Sequence, residues 1–154
     1  MKIKAIRNEI TESEALIYIG NKDLQRTNER IKIGEIKEVW FIVVSKPFKH
    51  SEKSFDLGSI SYADENGFTE FSIYFEIIDN SIPENWIIIE PTRPWPEIKL
   101  IIGPRELFEN DPQQMLNDII GQEGDFKKFY DYVIKTKKAR GENPWTVLKE
   151  NIQP

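Results

Sequence analysis

Residues 63–78 read ADENGFTEFSIYFEII, a turn signal followed by aromatic or aliphatic residues alternating with polar ones. A period of two marks a strand with one buried face. The alternation predicts a strand with Phe71, Ile73, Phe75 and Ile77 turned to the core and Glu70, Ser72, Tyr74 and Glu76 turned outward. Asp64-Glu65-Asn66-Gly67 suits a hairpin turn, because Asn and Gly tolerate positive φ. A two-residue loop pairs Tyr62 with Phe71, and a four-residue loop pairs Ile60 with Phe71. Either even loop keeps Ile60 and Tyr62 on the core face, whereas an odd loop sets them against Glu70 and Ser72. The even register is therefore the expectation.

The same reading extends along the chain. IKAIR (3–7) and ALIYI (15–19) are short β-prone runs, although Thr11 and Glu14 could alternatively form a capping box that starts a brief helix. Residues 21–38 are polar and read as a long loop or irregular hairpin. VWFIVVS (39–45) is apolar at successive positions, which fits a strand covered on both faces. Residues 46–54 read as an exposed loop. Six of the nine prolines fall between Pro83 and Pro112, leaving WIIIE (86–90) and EIKLIIG (97–103) as strands joined by PTRPWP. Asp111 before Pro112 caps a helix carrying Met115, Leu116, Ile119 and Ile120, and Gly121 ends it. Asp125 caps a second helix with Phe126, Phe129, Tyr130, Val133 and Ile134 on one face, ended by Gly141. Asn143-Pro144 starts a last helical piece that turns Trp145 and Leu148 inward. The expectation is one α+β domain over residues 1–154, with an antiparallel sheet body (1–103) and helices (111–152) packed on it.

Composition narrows the function classes. The 154 residues include no cysteine, which excludes disulfides, thiolate metal sites and a Cys nucleophile. Aromatic residues make up 12% and supply large buried areas for a core. The net charge of -5 disfavours nonspecific binding to nucleic acid or anionic lipid. Residues 124–154 depart from that balance, with seven basic and four acidic side chains. No run has the length of a signal peptide's apolar region or a membrane span, so a soluble, cytoplasmic protein is expected.

Candidate chemistry is sparse. His50, the single histidine, lies among lysines in KPFKHSEK with no second His or Cys to complete a zinc set, and reads as an exposed loop residue. Carboxylate pairs are plentiful, yet none has a magnesium or calcium pattern; DNSIPEN (79–85) lacks the central glycine of a calcium loop and is interrupted by proline. Gly58, Gly67, Gly103, Gly121, Gly124 and Gly141 each have a turn or cap explanation, and no phosphate-cradling glycine motif occurs. The basic helix 125–140 could touch nucleic acid, but a solvated face is the commoner meaning of such a stripe. Trp40, Trp86 and Trp95, with Tyr side chains, could line a pocket, which makes a small-ligand binder or an enzyme with an aromatic-lined site the alternative reading. No catalytic, metal or cofactor residue is expected, and the chain does not read as an enzyme. What is left is the outward face of Glu70, Ser72, Tyr74 and Glu76, extended by Asp64 and Glu65 at the turn. Its plain meaning is the wet side of a sheet, and its functional meaning is an acidic surface with an aromatic anchor for a basic protein partner.

A Cys-free acidic domain of this length, with the β-rich aromatic runs VWFIVV, FTEFSIYFEII and WIIIE and the helical FKKFYDYVIKTKKA, resembles the immunity proteins of bacterial contact-dependent and other polymorphic toxins. The resemblance lies in the overall profile. It implies a cytosolic inhibitor that binds one cognate toxin domain tightly without catalysis of its own, and the expectation built on it is a monomer or homodimer that presents its acidic patch to a basic nuclease foremost.

Overall fold

The computed structural model describes residues 1–19, 27–46, 59–67, 69–91, 98–112, 114–115 and 126–144. Eight strands form two antiparallel sheets: β1 (Lys2–Ala5), β2 (Ile36–Glu38), β3 (Phe41–Ser45), β4 (Ile60–Ala63), β5 (Thr69–Phe71), β6 (Phe75–Asp79), β7 (Trp86–Ile89) and β8 (Ile98–Pro104). One sheet has the order β2-β1-β6 and the other β5-β4-β3-β8-β7. Helices α1 (Glu12–Ile19), α2 (Arg105–Phe108) and α3 (Lys127–Ala139) complete the described elements. The protein is α+β.

Two apolar clusters hold three layers together. Trp40, just before β3, and Phe41, Val43 and Ile101 of the larger sheet meet Leu107 and Phe108 of α2, Met115, and Phe129, Tyr132 and Val133 of α3. On its other face Ile42 and Tyr62 meet Ile3 and Ala5 of β1, Ala15 of α1, Tyr74 and Phe75. Alternate residues of β3 thus enter opposite clusters, as expected for a strand covered on both faces. Phe41 receives the rings of Phe108 and Phe129 edge-on, at 5.6 and 5.8 Å. Gly103 stands opposite Ile87 inside the sheet, so its role is neither turn nor cap. A Cβ there would lie 2.6 Å from the Phe108 ring and 2.9 Å from the Phe41 Cβ. Its bare backbone is what lets α2 approach the strand.

Local capping signals are realised. The Thr11 N–H donates to Glu14 Oε2 (2.8 Å) and the Glu14 N–H to Thr11 Oγ1 (3.2 Å), a reciprocal box that starts α1. ALIYI is therefore helical, and its strand reading is corrected: the capped turn and Ala15, buried in the inter-sheet cluster, outweigh its β propensity. Asp111 Oδ1 accepts the Gln114 N–H at 2.8 Å, and residues 112, 114 and 115 are helical. At the end of α3, Gly141 has φ 73°. The Gly141 and Glu142 N–H groups donate to the carbonyls of Lys138 (3.0 Å) and Lys137 (2.9 Å), the double closure that a left-handed residue permits. Asp125, Gly121, Trp145 and Leu148 lie outside the described residues, as does most of loop 46–54, including His50.

Two expectations in the central hairpin are overturned. Tyr62 pairs with Glu70 and Ser61 with Phe71, so residues 64–68 form an odd, five-residue connection rather than an even one. The predicted single strand is also interrupted: Ser72–Tyr74 make a 3-10 turn, after which β6 joins the other sheet. One chain segment thereby turns the corner between layers. The turn breaks the period of two, so the inward and outward sets no longer follow from alternation.

Candidate functional site

The six residues expected to share one outward face are dispersed. Asp64 and Glu65 sit at the hairpin tip and face other parts of the same molecule. Asp64 Oδ1 accepts the Asn66 N–H at 2.9 Å, and its Oδ2 meets Lys37 Nζ of β2 at 3.3 Å. Glu65 is ion-paired with Lys137 of α3, a lysine left only 7% exposed. The tip thus bridges the small sheet and the helical layer.

Glu70 and Tyr74 turn inward, contrary to expectation. The odd register sets Glu70 opposite buried Tyr62, where Asn28 Nδ2 donates to its carboxylate at 2.6 Å. Burial raises the Glu70 pKa against the lowering pull of Asn28, Lys37 and Arg30. Tyr74 is 3% exposed because the 3-10 turn swings it into the inter-sheet cluster. Burial, aided by the Glu70 charge, raises its phenol pKa. Ser72 opens that turn and is half-buried. Glu76 alone stands on an open strand face, paired with Lys4 across the sheet at 3.3 Å.

A different surface takes shape around Glu76. Strand β6 is an edge of its sheet, and its Ile77 and Ile78, with Ile82 just beyond, are 53%, 46% and 54% exposed. Ile77 does stand opposite buried Ile3, on the inner face as expected, but at the rim of the sheet. Along the chain Asp79 lies between Ile78 and Ile82, and Glu84 follows two residues after Ile82. The Ser81 N–H donates to Asp79 Oδ1 at 2.9 Å, which holds that carboxyl below its usual pKa. Residues 54–92 contain eight acidic side chains and neither Lys nor Arg. Three edge strands, β5, β6 and β7, lie in that stretch. A windowed charge count along the sequence carries this signal; strand alternation does not.

Two other features have a place in the fold. Lys135 and Lys137 of α3, and Arg140 just past its end, are engaged within the molecule: Lys135 with Glu106 (2.8 Å), Lys137 with Glu65, and Arg140 with Glu38 (2.6 Å). Trp40, Trp86 and Tyr132 line a cleft of about 240 Å3; Trp95 lies outside the described residues. Tyr132 meets the Trp40 ring edge-on at 6.1 Å, and Arg140 covers it at 5.6 Å. The buried Trp40 Nε1 finds no acceptor among the described residues.

Among the described residues, no group of three His, Asp or Glu side chains converges as metal ligands, and no helix is long and apolar enough to cross a membrane. Comparison with known proteins gives no match to a family model, a curated protein or a solved structure.

Proposed function

We propose that this chain is a non-catalytic binding protein that neutralises a cognate bacterial toxin domain, a basic nuclease foremost, by engaging it through the acidic, isoleucine-bearing surface around β6. The observation that carries the reading is the pairing of exposed Ile77, Ile78 and Ile82 with Glu76, Asp79 and Glu84 in a stretch free of Lys and Arg. Apolar side chains supply desolvation energy at an interface, and one-signed charge selects and steers a partner of opposite sign. The resemblance to immunity proteins supplies the toxin; the surface supplies the means of contact. The reading moves the contact away from Asp64, Glu65, Glu70 and Tyr74, whose side chains serve the fold.

Co-expression tests it. A toxin domain encoded immediately upstream should arrest growth alone and not together with this chain. Glu76→Lys combined with Asp79→Lys and Glu84→Lys should slow association roughly tenfold or more at low salt. Arrest in the presence of the wild-type chain, or association unaffected by the triple reversal, counts against the reading.

The Trp40–Trp86–Tyr132 cleft favours a second reading, a small-ligand site. Its most buried ring, Trp40, is already covered by Tyr132 and Arg140, which leaves the half-buried Trp86 as the indole for a ligand to meet. A regulatory role for α3 on nucleic acid ranks third, because Lys135 and Lys137, with Arg140 beyond its end, already pair with carboxylates of this chain.

A further inference from the structure

Backbone hydrogen bonds define what the free side of β6 offers. The Ala5 N–H donates to the Glu35 carbonyl (2.9 Å), and the Ala5 carbonyl accepts the Gly34 N–H (2.7 Å). Ala5 therefore spends both main-chain groups on the β2 side. The Ile6 N–H turns the other way and donates to the Tyr74 carbonyl at 2.9 Å. Antiparallel pairing alternates residue by residue, so Lys4 and its partner Glu76 direct their main-chain groups at each other. The neighbours of Glu76 then leave three main-chain groups on the side that no described strand pairs: the Ile77 N–H, the Ile77 carbonyl and the Phe75 carbonyl, the Phe75 N–H being bonded to the Ser72 carbonyl. Phe75 is extended, with φ -129° and ψ 152°, as a pairing strand requires.

Side chains across the sheet add a second pattern. Ile36, Lys4 and Glu76 stand in one row, and Glu38, Lys2 and Asp79 in the next. The second row alternates in charge and ends on an acid at the β6 edge, and the first ends on Glu76. A further strand would set one residue beside Glu76, where a cation continues the row, and its neighbours beside Phe75 and Ile77 on the inner face, where apolar groups suit. The register shift at Ile78 ends the straight part of the edge and limits the added pairing to this short span.

We propose that the open edge of β6 accepts one additional strand from a basic protein partner, with an apolar–basic–apolar triplet opposite Ile77, Glu76 and Phe75. The proposal rests on the partner-binding reading above and gives its contact a geometry. A second copy of this chain fits poorly. Its own β6 would bring Glu76 and Asp79 to rows that already end on acids, and like charges placed opposite destabilise a strand pair.

The test uses the whole chain with three short synthetic peptides: one alternating Val with Lys, one alternating Val with Glu, and one of Ala and Lys at helical spacing with the same charge as the first. Amide exchange at Ile77 is followed by NMR at low salt, with the Phe75 amide, already bonded to Ser72, as the internal reference. The Val/Lys peptide should slow the Ile77 amide roughly tenfold or more relative to Phe75, and the other two should not. Ile77→Pro removes an outward N–H while sparing the β1 ladder, a position where edge strands tolerate proline; it should abolish the tighter binding of the Val/Lys over the Ala/Lys peptide, and Ile77→Thr should retain it. Binding of both lysine peptides without slowing at the Ile77 amide overturns strand addition and leaves the acidic-surface reading standing. Failure of both lysine peptides to bind overturns the two together. Should the proline variant not fold, the three-peptide comparison on the wild-type chain decides alone, and self-association of that chain through β6 would overturn the proposal.

Discussion

Glu70 and Glu14 give the molecule opposite responses to acid. Burial raises the Glu70 pKa in the folded state, so the folded form favours the protonated acid. Its contribution is present at low pH and is lost as pH rises through the folded pKa. Glu70→Gln keeps an acceptor for Asn28 and removes the buried charge. The variant should equal or exceed the wild type in urea stability at pH 7, and its advantage should fade as the buffer is acidified. Glu14 behaves in reverse, since the Thr11 N–H, then Arg7, hold its pKa below the usual value. That stability exists above the unfolded pKa and is lost as pH falls through the folded one. Thr11→Ala removes one arm of the same box and should cost about 1 kcal/mol by chemical denaturation. The capping box was legible from spacing because both of its bonds span three residues. The state of Glu70 was not, because it depends on Asn28, 42 positions away in the chain.

At the scale of elements, the segment from β5 to β6 shows where alternation stops being informative. A period of two identifies a strand but does not locate a one-turn break, and three residues of 3-10 helix were enough to turn Tyr74 in and leave Ile77 at a rim. Phe75, inward in both the sequence reading and the structure, is 8% exposed. Phe75→Ala should lower stability by about 3–5 kcal/mol. Ile77→Ala, at an exposed rim, should change it by less than about 1 kcal/mol. Comparable losses at both positions in urea titrations would mean that the rim is covered in solution. The end of α3 contrasts with this segment: Gly141 was readable as a stop because a left-handed cap is a local requirement. Gly103 was misread, since its need comes from Phe108 of α2 and Phe41 of β3. Gly103→Ala should cost about 1–3 kcal/mol through overpacking, measured as a lower urea midpoint with an unchanged slope.

Over the whole molecule, the α+β class and the apolar face of α3 followed from period and composition, but the existence of two sheets did not. The layers are joined by contacts between remote segments, and the hairpin tip is the clearest of them. Asp64 reaches Lys37 of β2, Glu65 reaches Lys137 of α3, and the Tyr130 hydroxyl donates to the Asn66 carbonyl at 3.5 Å. These acids were legible as charged turn residues, yet only tertiary contact shows that their partners are internal. Removing one member of the Glu65–Lys137 pair leaves the other without its counter-ion, which is worst for the lysine, the more buried of the two. Replacing both with uncharged groups of similar shape removes the desolvation cost along with the attraction. Glu65→Gln alone should therefore lose about 1–3 kcal/mol. Combined with Lys137→Met, which buries its chain without a charge, most of that loss should be recovered. A double-mutant cycle with coupling well above about 0.5 kcal/mol would show that the pair joins hairpin to helix. Strict additivity would mean that the tip is held by Lys37 and Tyr130 instead. Because these acids lie away from the β6 edge, the same variants should bind a basic partner as the wild type does, so stability and recognition can be separated in one set of proteins.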